Sequence, residues 1–248
     1  MKLKSALSLA RTINKIGLKK YIEYKIKAVS RHNFGNDEIL VRRGTPDLGV
    51  ALTSLNEEFS CLKYLLPKDF KGLIIDGGGY IGTAAIALHK IYPKARIITI
   101  EPSSENYNIL IQNIAKYSQI TPIKAAISCE SGGKLTLRNR GTGTWGFTVI
   151  KKPQDNPDSS SIEHVDTISI EDIYKMSDCN EIGIIKLDIE GAEKELFQKN
   201  AFQLNKSKAI IAELHDRIED GCTSSFFKFS RERTVIKVDG EKFLSVKT

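Results

Sequence analysis

Asp76-Gly77-Gly78-Gly79-Tyr80-Ile81-Gly82 stands between a short apolar run, Leu73–Asp76, and an amphipathic pattern over Ile81–Ile91. Glycine lets a backbone turn tightly and approach a ligand without a Cβ in the way. The spacing Gly77-x-Gly79-x-x-Gly82 fits a dinucleotide fingerprint, and Glu101 ends the next strand-like run, where an acid can take ribose hydroxyls. The acid ahead of the glycines argues for a different ligand. A pyrophosphate needs bare backbone N–H groups at a helix N-terminus, whereas a carboxylate at the mouth of the loop suits a cation. S-adenosylmethionine carries ammonium and sulfonium groups, so it gives Asp76 and Glu101 a partner each. NAD is the alternative cofactor for the same loop.

A second constellation is acidic. Lys186-Leu187-Asp188-Ile189-Glu190-Gly191-Ala192-Glu193 leads from an apolar run into a helical pattern, and Glu213-Leu214-His215-Asp216 closes another apolar run. On neighbouring parallel strands these groups lie side by side above the cofactor. A hydroxyl is a poor nucleophile and needs a base within hydrogen-bond reach. His215 is the first choice, because its reference pKa lies nearest neutrality. Asp188 either orients it or is itself the base, and also sits against the cofactor. Glu190 is assigned to the substrate, and Glu193 to compensation of a helix dipole. A metal is not favoured; the donors a divalent ion would use are Asp188, His215 and Asp216, joined by Glu213.

Arg138 to Phe147, RNRGTGTWGF, holds the only tryptophan, Trp145. Its ring can stack on a sugar, with Arg138 and Arg140 reaching an acidic sugar or a phosphate. Alternatively, Trp145 anchors the loop in the core.

These residues need a scaffold. Strand patterns fall at Leu73–Asp76, Arg96–Glu101, Thr121–Ile127, Ile182–Asp188 and Ala209–His215. Helical patterns fall at Ile81–Ile91, Ser104–Tyr117, Ile170–Met176, Ala192–Asn200 and Ser224–Phe229. Such alternation predicts an α/β, doubly wound parallel sheet. Ser169-x-x-Asp172 resembles a capping box. Lys134–Arg138 reads as a strand, residues 151–161 as an exposed linker, and the C-terminus as an antiparallel hairpin turning at Asp239-Gly240.

The charge is concentrated at one end. Residues 1–31 hold nine basic residues and one acid, Glu23, for a charge of +8, while the remainder carries −1. Leu3, Ala6, Leu7, Ala10, Ile13 and Ile16 share one helical face. After Gly17, Leu18, Tyr21, Ile22, Ile26 and Val29 form a second stripe with lysines opposite. The arm either packs on the body or lies on an anionic membrane surface. Nucleic acid is set aside, since the arm lacks interleaved stacking aromatics. The organisation expected is a basic helical arm and linker over 1–50 and a single domain over 51–248. No apolar run approaches the roughly 20 residues of a membrane span. Arg11 cuts the N-terminal apolar stretch short of a signal peptide. The four cysteines lie far apart, as in a reduced compartment. The chain therefore reads as cytoplasmic, with the arm as a means of attachment to the inner face of a membrane.

The glycine loop, ITIEPSSENYNIL, VDTISIEDI, IIKLDIEGAEKELF and IIAELHD together resemble the FkbM family of S-adenosylmethionine-dependent methyltransferases, over about Glu57 to Asp216. At the loop that family shows Asp-x-Gly-Ala-Asn-Ile-Gly, where this chain has Gly79 and Tyr80. The resemblance implies a Rossmann-like, mostly parallel seven-stranded sheet. It also implies a cofactor held by Asp76, Gly77, Gly78, Gly79, Gly82, Glu101, Pro102, Ser103, Ala126 and Asp188, and O-methylation of a sugar or glycan precursor.

Overall fold

Short apolar runs become strands covered on both faces. The structure, a computed structural model, describes residues 12–139, 141, 143–152 and 161–247. Leu73–Gly77 (β3) and Ile182–Leu187 (β9) are buried at every position, which is why their sequences do not alternate. Instead, successive side chains serve opposite cores. Ile74 and Ile184 pack with the helices Thr83–Ile91 and Ser104–Ile114 on one face. Ile75 and Ile185 pack with Ile170–Ser177, Glu193–Lys199 and Cys222–Phe229 on the other.

Arg96–Ile100 (β4), Ile120–Ile123 (β5), Ser207–Glu213 (β10), Arg233–Asp239 (β11) and Lys242–Lys247 (β12) complete a seven-stranded sheet of order β11-β12-β10-β9-β3-β4-β5. Five strands are parallel. β12 runs antiparallel to both β10 and β11, forming the expected C-terminal hairpin. From β3 the chain builds outward through β4 and β5, then returns to lay β9 and β10 on the other side. The β3–β9 boundary is therefore the switch point, where a ligand crevice opens at the carboxyl ends. The glycine loop leaves β3 here, and Asp188 leaves β9 beside it, its N–H donating to the Gly77 carbonyl at 3.1 Å. The Ser169 cap forms as expected, its Oγ accepting from Asp172 N at 3.1 Å.

The third strand departs from expectation. Thr121–Ile127 divides into β5 and Ala126–Ser128 (β6). Pro122 lies in β5, at the sheet edge, where the absent N–H is tolerated. β6 leaves the large sheet and pairs with Ser161–Ser169 (β8), which pairs with Lys134–Arg138 (β7). This small sheet walls one side of the crevice.

The N-terminal region also differs. Residues 12–16 are helical, Gly17 at φ +83° breaks the run, and Leu18–Ile26 forms a second helix. The helix ends before Val29. Val29–Phe34 (β1) pairs with Asp37–Arg42 (β2) across a two-residue Gly35-Asn36 turn, in place of the expected linker. Ile39 and Val41 are fully buried, and the Asn113 side chain clamps Leu40, accepting from its N–H at 2.7 Å and donating to its C=O at 3.1 Å. The helix Asp47–Ser54 then brings the chain to the crevice. By contrast Leu18–Ile26 buries nothing; Leu18, Ile22 and Ile26 are 58%, 48% and 69% exposed. Residues 1–11, and 153–160 of the predicted linker, lie outside the described residues. Among the described residues, no helix is long and apolar enough to cross a membrane.

Candidate active site

The glycine loop is tight because other parts of the protein crowd it. Gly78 adopts φ +78°, and a Cβ there would lie 1.9 Å from the Asp188 carbonyl oxygen. No other residue permits this contact between the loop and β9. Gly82, at φ +86°, opens the helix Thr83–Ile91. Gly77 lies in β3 beneath the loop, while Gly78 and Gly79 line the crevice. Space for the fold, as much as space for a ligand, explains the glycines.

Asp76 does not face the mouth of the loop. It is fully buried, accepts from Thr99 Oγ1 at 2.7 Å, and lies 3.3 Å from Lys186 Nζ. Lys186 was not singled out by the sequence. Its ammonium also donates to the carbonyls of Gly77 (3.1 Å) and Gly78 (2.7 Å) and lies 3.7 Å from Asp188 Oδ2. Burial opposes the charge on Lys186, but Asp76 and Asp188 outweigh it and raise its pKa. Asp76 is thus the counter-ion of an internal cation that staples the loop, and not itself a clasp for a cationic ligand.

Glu101 does face the crevice. Its Oε2 accepts from Tyr80 N (2.8 Å) and its Oε1 from Ser103 N (3.0 Å) and Asn106 Nδ2 (3.2 Å). Burial outweighs these donors and pushes the carboxyl up to about 7. Pro102 and Ala126 line the crevice as expected. Ser103 instead caps the helix Ser104–Ile114, with its Oγ turned to Asn106 N. Tyr80, at φ +48°, places its hydroxyl against Asp47 and 2.9 Å from Thr144 Oγ1. Arg42 locks Asp47 from behind, with Nε 2.9 Å from Oδ2. Residues expected to belong to the arm and linker over 1–50, Arg42 and Asp47, thus close one end of the crevice.

The second constellation forms, with roles redistributed. His215 is fully buried. Its Nδ1 lies 2.9 Å from Glu193 Oε1, and its Nε2 lies 3.6 Å from Asp188 Oδ1, 3.6 Å from Glu190 Oε1 and 4.0 Å from Glu213 Oε1. Burial alone would lower its pKa. The Glu193 hydrogen bond and the charges of Glu193, Asp188 and Glu190 reverse this and raise it to about 9. Within this shell of acids the imidazole holds its proton at neutral pH, so His215 is not the base that the sequence suggested. Asp188 is the accessible member, with a 32% exposed side chain at the junction of two compartments of the crevice. Burial would raise its pKa, but Lys186 and His215 overcome this and hold it below the usual carboxylate range. Glu190 is buried at φ +52°, and burial pushes its carboxyl up to about 7. Glu193 accepts from Ile189 N and Gly191 N, both at 2.9 Å, and so shapes the turn that carries Glu190. Asp216 stands apart from this group, capping the helix Cys222–Phe229 through Gly221 N (2.9 Å) and Thr223 N (3.1 Å).

The FkbM methyltransferase domain matches residues 76–240. This chain belongs to the FkbM methyltransferase family. It is accordingly an S-adenosylmethionine-dependent methyltransferase, and the NAD reading falls away. No curated protein matches the chain. Among solved structures it is similar to M. jannaschii TYW2 in complex with AdoMet, at 13% identity and TM-score 0.44, over 89% of this chain and 84% of that one. It is also similar to a putative caffeoyl-CoA O-methyltransferase from Staphylococcus aureus, at 14% identity and TM-score 0.44, over 77% and 82%. A putative transferase from Pyrococcus horikoshii matches at 12% identity and TM-score 0.46, over 89% and 72%.

The crevice of this FkbM methyltransferase fits the cofactor. Glu101 would take the ribose hydroxyls, since Oε2, with one bond from Tyr80 N, retains a lone pair. Ile100, Pro102, Ala126, Ile127, Leu137 and Phe147 line an apolar slot beside it, where an adenine ring would fit. On the acceptor side, Trp145 is 45% exposed and lines both compartments, which excludes the alternative of a core anchor. Arg138 is instead buried, its backbone paired with Thr148, and presents no open guanidinium to an acceptor. Arg140 lies outside the described residues. Sequence reasoning missed Lys186, Asn106 and Asp47. Only Lys186 carried a signal, as a charge inside an otherwise apolar strand.

Proposed function

We propose that this FkbM methyltransferase methylates a hydroxyl of a sugar unit in a glycan or lipid-linked saccharide, with Asp188 accepting the hydroxyl proton. The observation that supports this most directly is that Asp188 and Trp145 both border the two compartments of one crevice. When bound, S-adenosylmethionine supplies an electrophilic methyl group, and the rest of the rate must come from positioning and proton removal. Asp188 is ionised at neutral pH because Lys186 and His215 flank it. Glu190, titrating at about 7 with a carboxylate oxygen within 4.8 Å of Asp188, is placed to share the proton. Trp145, 45% exposed at the crevice, offers an aromatic face to sugar C–H groups.

The arm supports a membrane-associated acceptor. The helix Leu18–Ile26 exposes Leu18, Ile22 and Ile26 beside Lys19, Lys20 and Lys25. A surface with both apolar and basic character suits an anionic lipid interface. On this reading the protein sits peripherally at the inner face of a membrane. The test is transfer of label from S-adenosylmethionine to a panel of extracted glycans and lipid-linked sugars, read by mass spectrometry. Label appearing only on amines or nucleic acid would overturn the sugar assignment.

A further inference from the structure

We propose that Asp188, Glu190 and His215 form a binding site for one divalent cation. Asp188 Oδ1 and Glu190 Oε1 each lie 3.6 Å from His215 Nε2. These gaps are too wide for hydrogen bonds. They approach the spacing of donor atoms around a shared ion, roughly 3.0–3.4 Å for bonds of about 2.1 Å. His215 Nε2 is buried with no hydrogen-bond partner, while Glu190 Oε2 faces the Arg217 guanidinium at 3.6 Å and leaves Oε1 turned to the imidazole. His215 is 0% and Glu190 4% exposed, so water in bulk does not satisfy them. Nε2 meets these carboxylates only at ion-pair distance, and a divalent cation completes the arrangement by displacing the proton that His215 otherwise holds.

The surroundings are built to aim these donors. Glu193, fully buried, takes His215 Nδ1 at 2.9 Å and so turns Nε2 toward Asp188 and Glu190. A carboxylate that orients the far nitrogen of a metal-ligating histidine is a recurrent feature of metal sites. The same Glu193 accepts from Ile189 N and Gly191 N and holds Glu190 at φ +52°, followed by Gly191 at φ +103°. A non-glycine residue kept in this conformation costs on the order of 1–3 kcal/mol and is retained where the position of its side chain matters. One buried glutamate thus positions two of the three donors. Glu213 Oε1, at 4.0 Å from Nε2, stands next in reach. Glu190 takes the place that the sequence gave to Asp216.

Two carboxylates and one imidazole favour Mn²⁺, Fe²⁺ or Zn²⁺ over Ca²⁺. With three protein donors the ion retains open positions toward the crevice, where it would lower the pKa of a hydroxyl beside Asp188. The site does not depend on the identity of the acceptor. The experiment is Mn²⁺ titration of the chelator-treated full chain, read by electron paramagnetic resonance, with calorimetry of S-adenosylmethionine binding as the control for folding. One Mn²⁺ per chain is expected. Glu190→Gln should weaken it by at least about tenfold, as should His215→Gln, with cofactor binding retained in at least one of the two. Wild-type protein that binds S-adenosylmethionine but takes up neither Mn²⁺ nor Zn²⁺ overturns the proposal. So does Mn²⁺ binding of equal strength in both variants. Because the readout is metal uptake, neither result bears on methyl transfer to a sugar.

Discussion

The helix Leu18–Ile26 and the strand β9 carry opposite relations between charge and burial. The helix buries no residue, and its lysines stay at the surface, Lys20 beside Glu23 at 3.6 Å and Lys25 over the Tyr21 ring. Lys186 in β9 is buried among two carboxylates and two carbonyl oxygens. An exposed ion pair is worth about 0–1 kcal/mol and is screened by salt. A buried charge that loses its partner costs about 3–5 kcal/mol. The same residue type is therefore replaceable in one region and indispensable in the other. The difference is set by solvent and not by sequence.

Substitutions can test this contrast, beginning with the largest effect. Asp188→Asn should lower kcat by about 10²–10⁴-fold while leaving S-adenosylmethionine affinity within a few fold, as measured by single-turnover kinetics and calorimetry. Lys186→Met leaves Asp76 buried without its cation and should cost about 3–5 kcal/mol in denaturant unfolding. A loss below about 1 kcal/mol would show that the buried pair is not coupled to the fold.

The pH dependence tests the same interior charges. His215, raised to about 9 from its ordinary 6.5, contributes stability that is complete below pH 6.5 and lost as pH rises through 9. Glu101 and Glu190, raised to about 7 from 4.5, favour folding most when protonated, so their contribution is also lost between about pH 4.5 and 7. All three act in one direction. Stability should fall steadily from about pH 5 to pH 9, and Glu190→Gln should flatten the lower part of that curve in thermal scans.

Trp145→Ala should raise the acceptor KM by about tenfold, as befits loss of about 1–1.5 kcal/mol of aromatic stacking, with little change in cofactor binding. The smallest effect is expected in the arm. Lys25→Ala should change unfolding free energy by less than about 0.5 kcal/mol. Its partitioning onto anionic vesicles should still fall by about fivefold, from roughly 1 kcal/mol per basic residue. Unchanged partitioning would leave the exposed stripe without a lipid partner.

The fold was legible where a pattern is local. Leu73–Gly77 and Ile182–Leu187 read as strands because short runs rich in isoleucine, Leu73–Ile75 and Ile182–Ile185, admit few alternatives. Ser169 and Asp172 sit three residues apart and cap as their types require. The hairpin Val29–Arg42 carried a Gly35-Asn36 turn signal that the basic charge run obscured. The site was legible only in part. Glu101 and Asp188 stand at strand ends facing the crevice, but the direction of the Asp76 side chain depended on Lys186, a residue 110 positions away.

The amino-acid sequence alone determined which segments form the sheet, where the chain turns at glycine, and which acids arrive at the strand tips, because these depend on neighbours along the chain. Tertiary structure decided that Asp76 pairs inward, that His215 is caged among acids, that Asp188 is ionised and open to the crevice, and that Tyr80 closes the crevice through Asp47. Those outcomes arise from charges and hydrogen-bond donors brought together across distant strands, where the loss of water sets their energies.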